Sequence, residues 1–65
     1  KDLAALGKLF RTAREQIGLS QAKLAKKADL SANYYAYVER GEKNISYKSL
    51  LKVLRALDMK TLDIR

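Results

Sequence analysis

The side chains of this sequence that could do chemistry are cations, phenols and amides rather than the imidazoles and thiols of catalysis. There is no His and no Cys, which removes the usual general base, the thiolate nucleophile and the commonest metal ligands. No paired-carboxylate constellation stands in for them. An enzyme is therefore disfavoured, and no cofactor, metal site or small-molecule substrate is expected. What remains is hydrogen bonding and charge. Fourteen Lys and Arg against seven Asp and Glu leave a formal charge of +7 on 65 residues, a field that favours a polyanionic partner. Nucleic acid comes first and an anionic membrane second. The densest group of polar aromatic side chains lies in QAKLAKKADLSANYYAYVERG, from Gln21 to Gly41, where Asn33, Tyr34, Tyr35 and Tyr37 follow a run of lysines.

Positioning that group requires two short helices and a tight turn. Leu24, Ala25 and Ala28 recur at helical spacing and leave Lys23, Lys26 and Lys27 on the other face. Ser20 can cap the start of this run through its side-chain oxygen. The pattern breaks at Asp29, Leu30 and Ser31, and Ser31 can cap a second helix beginning at Ala32. That helix carries Tyr35 and Val38 inward and stops near Arg40, where Gly41 can take a left-handed conformation. Tyr34 and Tyr35 cannot face the same way, so the buried Tyr35 needs water or a polar partner for its hydroxyl. Two helices joined by so short a turn cross steeply and present the outer face of the second as a convex edge. The shape is a helix-turn-helix over about residues 20–40.

The rest of the chain reads as support. Sixty-five residues hold one small domain, 1–65, that buries only about 60% of the surface its unfolded chain exposes. No apolar run approaches the roughly 20 residues needed to span a bilayer, and no signal-peptide pattern opens the chain, so a soluble, cytoplasmic protein is expected. A start at Lys1 without Met fits an excised domain or ordered core. Leu3, Leu6, Phe10, Ala13 and Ile17 place one stripe on a first helix from Asp2 to Ile17, ended by Gly18. Within it Gly7 either marks a close approach by another helix or is simply tolerated, at up to about 1 kcal/mol relative to Ala. Leu19 should pack inward.

After the polar connection Glu42–Lys43–Asn44, Ser46 can cap a fourth helix whose main stripe is Tyr47, Leu50, Leu54 and Leu57. Leu51 and Val53 widen that stripe and leave an exposed apolar edge. Met59, Leu62 and Ile64 indicate a short fifth helical turn. With no Pro, no internal repeat and no strand pattern, the expected fold is all-α, a compact bundle of five short helices.

On GLSQAKLAKKADLS, the second helix ending VERG and the fourth ending LRALDM, the chain from about Leu6 to Ile64 resembles the Cro/C1-type (XRE) helix-turn-helix family, the fold of the phage lambda and 434 repressors. The resemblance implies a small bacterial or phage-type transcription regulator that binds duplex DNA sequence-specifically in the nucleoid. It also implies a homodimer on a two-fold symmetric operator, paired through helix four and the C-terminal segment. In such a protein residues 32–40 lie in the major groove and aim Ala32, Asn33, Ala36 and Tyr37 at base edges. The Asn33 amide can pair bidentately with adenine. Ala32 either touches a thymine methyl or merely favours helix, and Tyr37 either enters the groove or lies along its own helix.

The same resemblance places phosphate contacts at Gln21, Tyr34, Lys43, Asn44 and Lys48. At Gln21 the amide and the free N–H groups of a helix start can share a phosphate, and in the family this Gln also braces the recognition helix. Tyr34 falls at the groove wall, on a phosphate or in solvent. Arg14 and Glu39 match positions that form an ion pair, with Arg14 able to offer a further N–H to a phosphate. Arg11 and Arg40 would add to a positive rim, while Lys23, Lys26 and Lys27 read as a solvated face. Two departures stand out: Asp29 and Asp58 occupy positions where the family usually has Gly. The small Ala32 and Ala36 leave specificity to Asn33, Tyr37 and DNA shape. The alternative is a protein-interaction module on the same fold, of antitoxin or coactivator type, working through the edge near Leu51 and Val53.

Overall fold

A computed structural model describes residues 3–58 as four helices: α1 (Leu3–Gln16), α2 (Gln21–Lys27), α3 (Ala32–Glu39) and α4 (Tyr47–Ala56). The bundle is all-α, with four helices rather than five among the described residues. The fifth turn expected over Met59, Leu62 and Ile64 lies outside them.

Serine starts three of the four helices. Ser20, Ser31 and Ser46 hold extended backbone, and each Oγ accepts the N–H three residues on, from Lys23 at 3.1 Å, Tyr34 at 3.0 Å and Ser49 at 3.1 Å. Each such cap satisfies an otherwise orphaned donor and is worth about 1 kcal/mol. The ends are equally regular. The backbone turns left-handed at Gly18, Asp29, Gly41 and Asp58. Behind the first three, Leu19 N–H returns to Arg14 O, Leu30 N–H to Ala25 O and Glu42 N–H to Tyr37 O, at 3.2, 2.8 and 2.9 Å, the six-to-one bond of a Schellman ending. Asp29, with φ 60°, thus does at the helix-turn-helix corner what Gly does elsewhere, and Leu30 behind it packs against the core.

That core is Phe10 from α1, Leu24, Ala25 and Ala28 from α2 and its end, Tyr35 and Val38 from α3, and Val53, Leu54, Ala56 and Leu57 from α4 and its end. Helix α3 packs on both α1 and α2, and α2 packs in turn on α4. Two expectations need correcting. Ile17 does not complete the α1 stripe; the helix has ended at Gln16 and the residue is 44% exposed on the turn. On α4 the inward face is Leu50, Val53, Leu54 and Leu57, also at steps of three and four, so Val53 is 0% exposed while Tyr47 is 75% exposed. Both stripes are helical, and packing against α2 selects the second. The apolar edge of α4 is therefore Tyr47 and Leu51 rather than Leu51 and Val53.

Gly7 marks a close approach. A Cβ there would stand against Glu39 O, 2.7 Å from the Glu39 carbonyl carbon and 2.8 Å from Val38 O, so α1 meets the end of α3 backbone to backbone. A second such contact follows at Gly41, whose missing Cβ would lie 2.9 Å from Ala4 Cα.

Candidate nucleic-acid interface

Helix α3 turns one face to the core and the other to solvent. Tyr35, Val38 and Glu39 are buried, while Ala32, Asn33 and Tyr37 are exposed and Ala36 is half-buried. The four residues expected at base edges therefore share the outer face or its flank. The Asn33 amide has no hydrogen-bond partner among the described residues, which leaves its donor and acceptor available together, as a bidentate contact to adenine requires. Tyr37 is less free than expected. The Arg40 guanidinium lies over its ring, 5.0 Å from the centroid, with Arg40 Nε 3.3 Å from Glu42 Oε1. A cation over an aromatic face is attracted by the ring quadrupole, and the i, i+3 spacing of the two residues makes them neighbours on the helix surface.

The buried side of α3 is fixed by one carboxylate. Glu39 accepts from Arg14 Nε at 2.6 Å and from a second Arg14 nitrogen at 3.2 Å, from Gln21 Nε2 at 2.8 Å, and from the Tyr35 hydroxyl at 2.6 Å. Burial alone would raise the Glu39 pKa, but the bonds donated by Arg14, Tyr35 and Gln21 outweigh it and hold the carboxyl below its ordinary 4.5. The Arg14 pKa rises further above its ordinary value, chiefly through its hydrogen bond to Glu39 and against the effect of burial. Burial first and Glu39 second push the Tyr35 phenol well above its ordinary value. At neutral pH the network is one carboxylate, one guanidinium and one neutral phenol, and it ties α1, α2 and α3 together.

This network accounts for the expected Arg14–Glu39 pair and supplies the partner that the buried Tyr35 hydroxyl needs. It also qualifies two phosphate assignments. Gln21 gives one of its two amide N–H groups to Glu39, so it braces α3 and keeps a second donor beside the backbone N–H groups of the helix start. Arg14 directs a third bond to Leu19 O at 2.8 Å. Three of the five N–H donors of a guanidinium are thus engaged, on a side chain 11% exposed.

Lys43, Asn44 and Lys48 are all exposed, on the loop after α3 and the first turn of α4. Tyr34 stands differently from either expectation. Its hydroxyl accepts from Ser46 N–H at 3.3 Å and donates to Asn44 O at 3.4 Å, while its ring packs against the core. Residue identity does not mark this contact, because both partners are backbone groups ten and twelve residues away. Lys23, Lys26 and Lys27 are exposed, as a solvated face would be. Arg11 pairs with Glu15 at 3.2 Å on the surface of α1. No helix among the described residues is long and apolar enough to cross a membrane.

Comparison with known proteins agrees with this geometry. A helix-turn-helix family model matches residues 10–64. Among solved structures, the restriction-modification controller protein C.AhdI from Aeromonas hydrophila is similar to this chain with a TM-score of 0.88 and 41% sequence identity, over 89% of this chain and 84% of that one. No match is found among curated proteins. With a capped helix-turn-helix whose outer face is exposed, and matched along most of its length in both sequence and backbone, the chain belongs to the XRE-type helix-turn-helix family of sequence-specific DNA-binding transcription regulators.

Proposed function

We propose that this chain binds a two-fold symmetric operator as a homodimer in the bacterial cytoplasm, with α3 in the major groove of each half-site. Asn33 reads an adenine, Tyr37 with Arg40 behind it contacts the neighbouring base or sugar, and Ala32 and Ala36 lie against the groove floor. Lys43, Asn44 and Lys48, with the backbone at Gln21, take the phosphates that fix register without specifying sequence. The observation that carries this reading is the division of α3: a buried side pinned through Glu39 and an outer side whose Asn33 has no side-chain partner among the described residues. The exposed Tyr47 and Leu51 supply the apolar edge for pairing two copies. The expected contribution of the C-terminal segment concerns residues outside those described. The likeness to a restriction-modification controller supports a regulatory role of that kind.

Selection of bound duplexes from a random pool tests the reading. Recovered sites should be two-fold symmetric, and Asn33→Ala should relax preference at one position in each half-site, where a bidentate contact is worth about 1–3 kcal/mol. Recovery of sites without symmetry, or an Asn33→Ala profile identical to wild type, would refute it.

A further inference from the structure

The loop from Gly41 to Ser46 carries Lys43 and Asn44 but has no secondary structure of its own. It is nevertheless held at three points. At its start Gly41, with φ 76°, lies against the Ala4 backbone. Near its end Ile45 packs against the core. Between recognition helix and loop stands the Tyr34 hydroxyl, which accepts from Ser46 N–H and donates to Asn44 O. One phenol therefore grips the backbone on both sides of Ile45, and it projects from α3, the helix that carries Asn33 and Tyr37. Its single proton is directed to Asn44 O at 3.4 Å and one acceptor site takes Ser46 N–H at 3.3 Å, both at the long end of the hydrogen-bond range.

We infer that Tyr34 is a positioning residue for DNA binding: its hydroxyl fixes the loop that presents Lys43 and Asn44 at a set distance from the reading face of α3. This rests on the proposal that the loop contacts phosphate. A cation on a tethered loop meets a phosphate without first being ordered, whereas one on a loose loop loses affinity to the ordering. The two backbone groups that Tyr34 holds are solvent-accessible, so water replaces its hydroxyl when that is removed and the fold survives.

The mutation Tyr34→Phe separates positioning from direct contact, because it keeps the ring and deletes the hydroxyl. The probes are a duplex recovered by random-pool selection and a scrambled duplex of equal length, each titrated over a series of salt concentrations. Positioning predicts that Tyr34→Phe weakens both duplexes about two- to tenfold, the equivalent of one modest hydrogen bond, and leaves the sequence preference unchanged. It also predicts a flatter salt dependence, by up to about 0.9 in the logarithmic slope, since a cation withdrawn from a phosphate no longer releases a counterion. In a Lys43→Ala/Asn44→Ala background the same mutation should then change affinity less than about twofold, because the groups it positions are gone. Faster amide exchange at Ser46 in Tyr34→Phe would accompany these changes.

A neutral phenol bonded directly to phosphate behaves differently: its removal leaves the salt slope unchanged and adds its full loss to that of the double alanine variant. That result overturns the positioning role while leaving the loop reading intact. If instead Lys43→Ala/Asn44→Ala alone changes neither affinity nor slope, the loop makes no phosphate contact, and both the loop reading and the role of Tyr34 fall.

Discussion

Replacing Glu39 with Ala removes the acceptor on which three helices converge. The Tyr35 hydroxyl, on a side chain 0% exposed, is left with no acceptor, and an unsatisfied buried donor costs about 1–3 kcal/mol. The Arg14 guanidinium keeps its bond to Leu19 O but loses its counter-charge, and breaking one side of a buried ion pair costs about 3–5 kcal/mol. These two penalties share the same lost carboxylate and do not add, so the expected total is about 3–5 kcal/mol. A domain of this size has a stability of about 3–10 kcal/mol at typical per-residue values, so the substitution consumes much of the fold. Urea unfolding at neutral pH, followed by far-UV circular dichroism, should show a midpoint about 3 M or more lower for a slope near 1 kcal/mol/M, or no folded baseline at all. Replacing Arg14, Tyr35 and Glu39 together, as Arg14→Met/Tyr35→Phe/Glu39→Leu, should recover most of the loss, because it removes the stranded charge and hydroxyl together and leaves only the half-buried Gln21 amide, which water can reach. A Glu39→Ala midpoint within about 1 M of wild type, or a triple variant less stable than the single one, would refute the assignment of Glu39 as the central acceptor.

Acid should weaken the same network. Because the folded Glu39 pKa lies below its ordinary 4.5, its contribution is complete above that value and is lost as pH falls through the folded value. Melting temperature should therefore drop below about pH 4.5, with a shallower drop in Glu39→Gln; equal slopes in the two proteins would exclude Glu39 as the titrating group. Gly7→Ala should destabilise by about 1–3 kcal/mol through collision with the Val38 and Glu39 carbonyls, despite a helix-propensity gain near 1 kcal/mol, and a thermal melt at or above wild type would exclude that contact. At the helix-turn-helix corner, stability should rank Asp29→Gly above wild type and wild type above Asp29→Ala, since φ 60° strains Ala most and Gly least. Any other order in thermal melts would argue against a left-handed residue there.

The features legible in the sequence are those set by local rules. Ser20, Ser31 and Ser46 cap helices because a short oxygen next to a free N–H acts within one turn, and Gly18 and Gly41 end helices for equally local reasons. The inward Tyr35 followed from its spacing to Val38, and the outward Asn33 from the face opposite. Where two helical stripes share residues, local periodicity does not choose between them, and so Val53 and Tyr47 exchanged places when α4 packed on α2. Gly7 was ambiguous for the same reason, since only the neighbouring α3 backbone decides whether a Cβ would fit. The Gln21 bond to Glu39 and the Tyr34 bonds to the loop cross between elements. One joins side chains 18 residues apart and the other ends on backbone atoms, which residue identity does not mark.

The division of α3 into a pinned side and a bare side also bears on how such a protein can change. Tyr34, Tyr35, Val38 and Glu39 hold the helix, whereas Ala32 and Asn33 on the outer face contribute no side-chain bond to the fold among the described residues. Surface substitutions away from such bonds usually stay within about 0.5 kcal/mol. New side chains can therefore be tried at these two positions while the body of the protein stays intact. Diversification toward new target sequences proceeds on a face that folding leaves almost unconstrained.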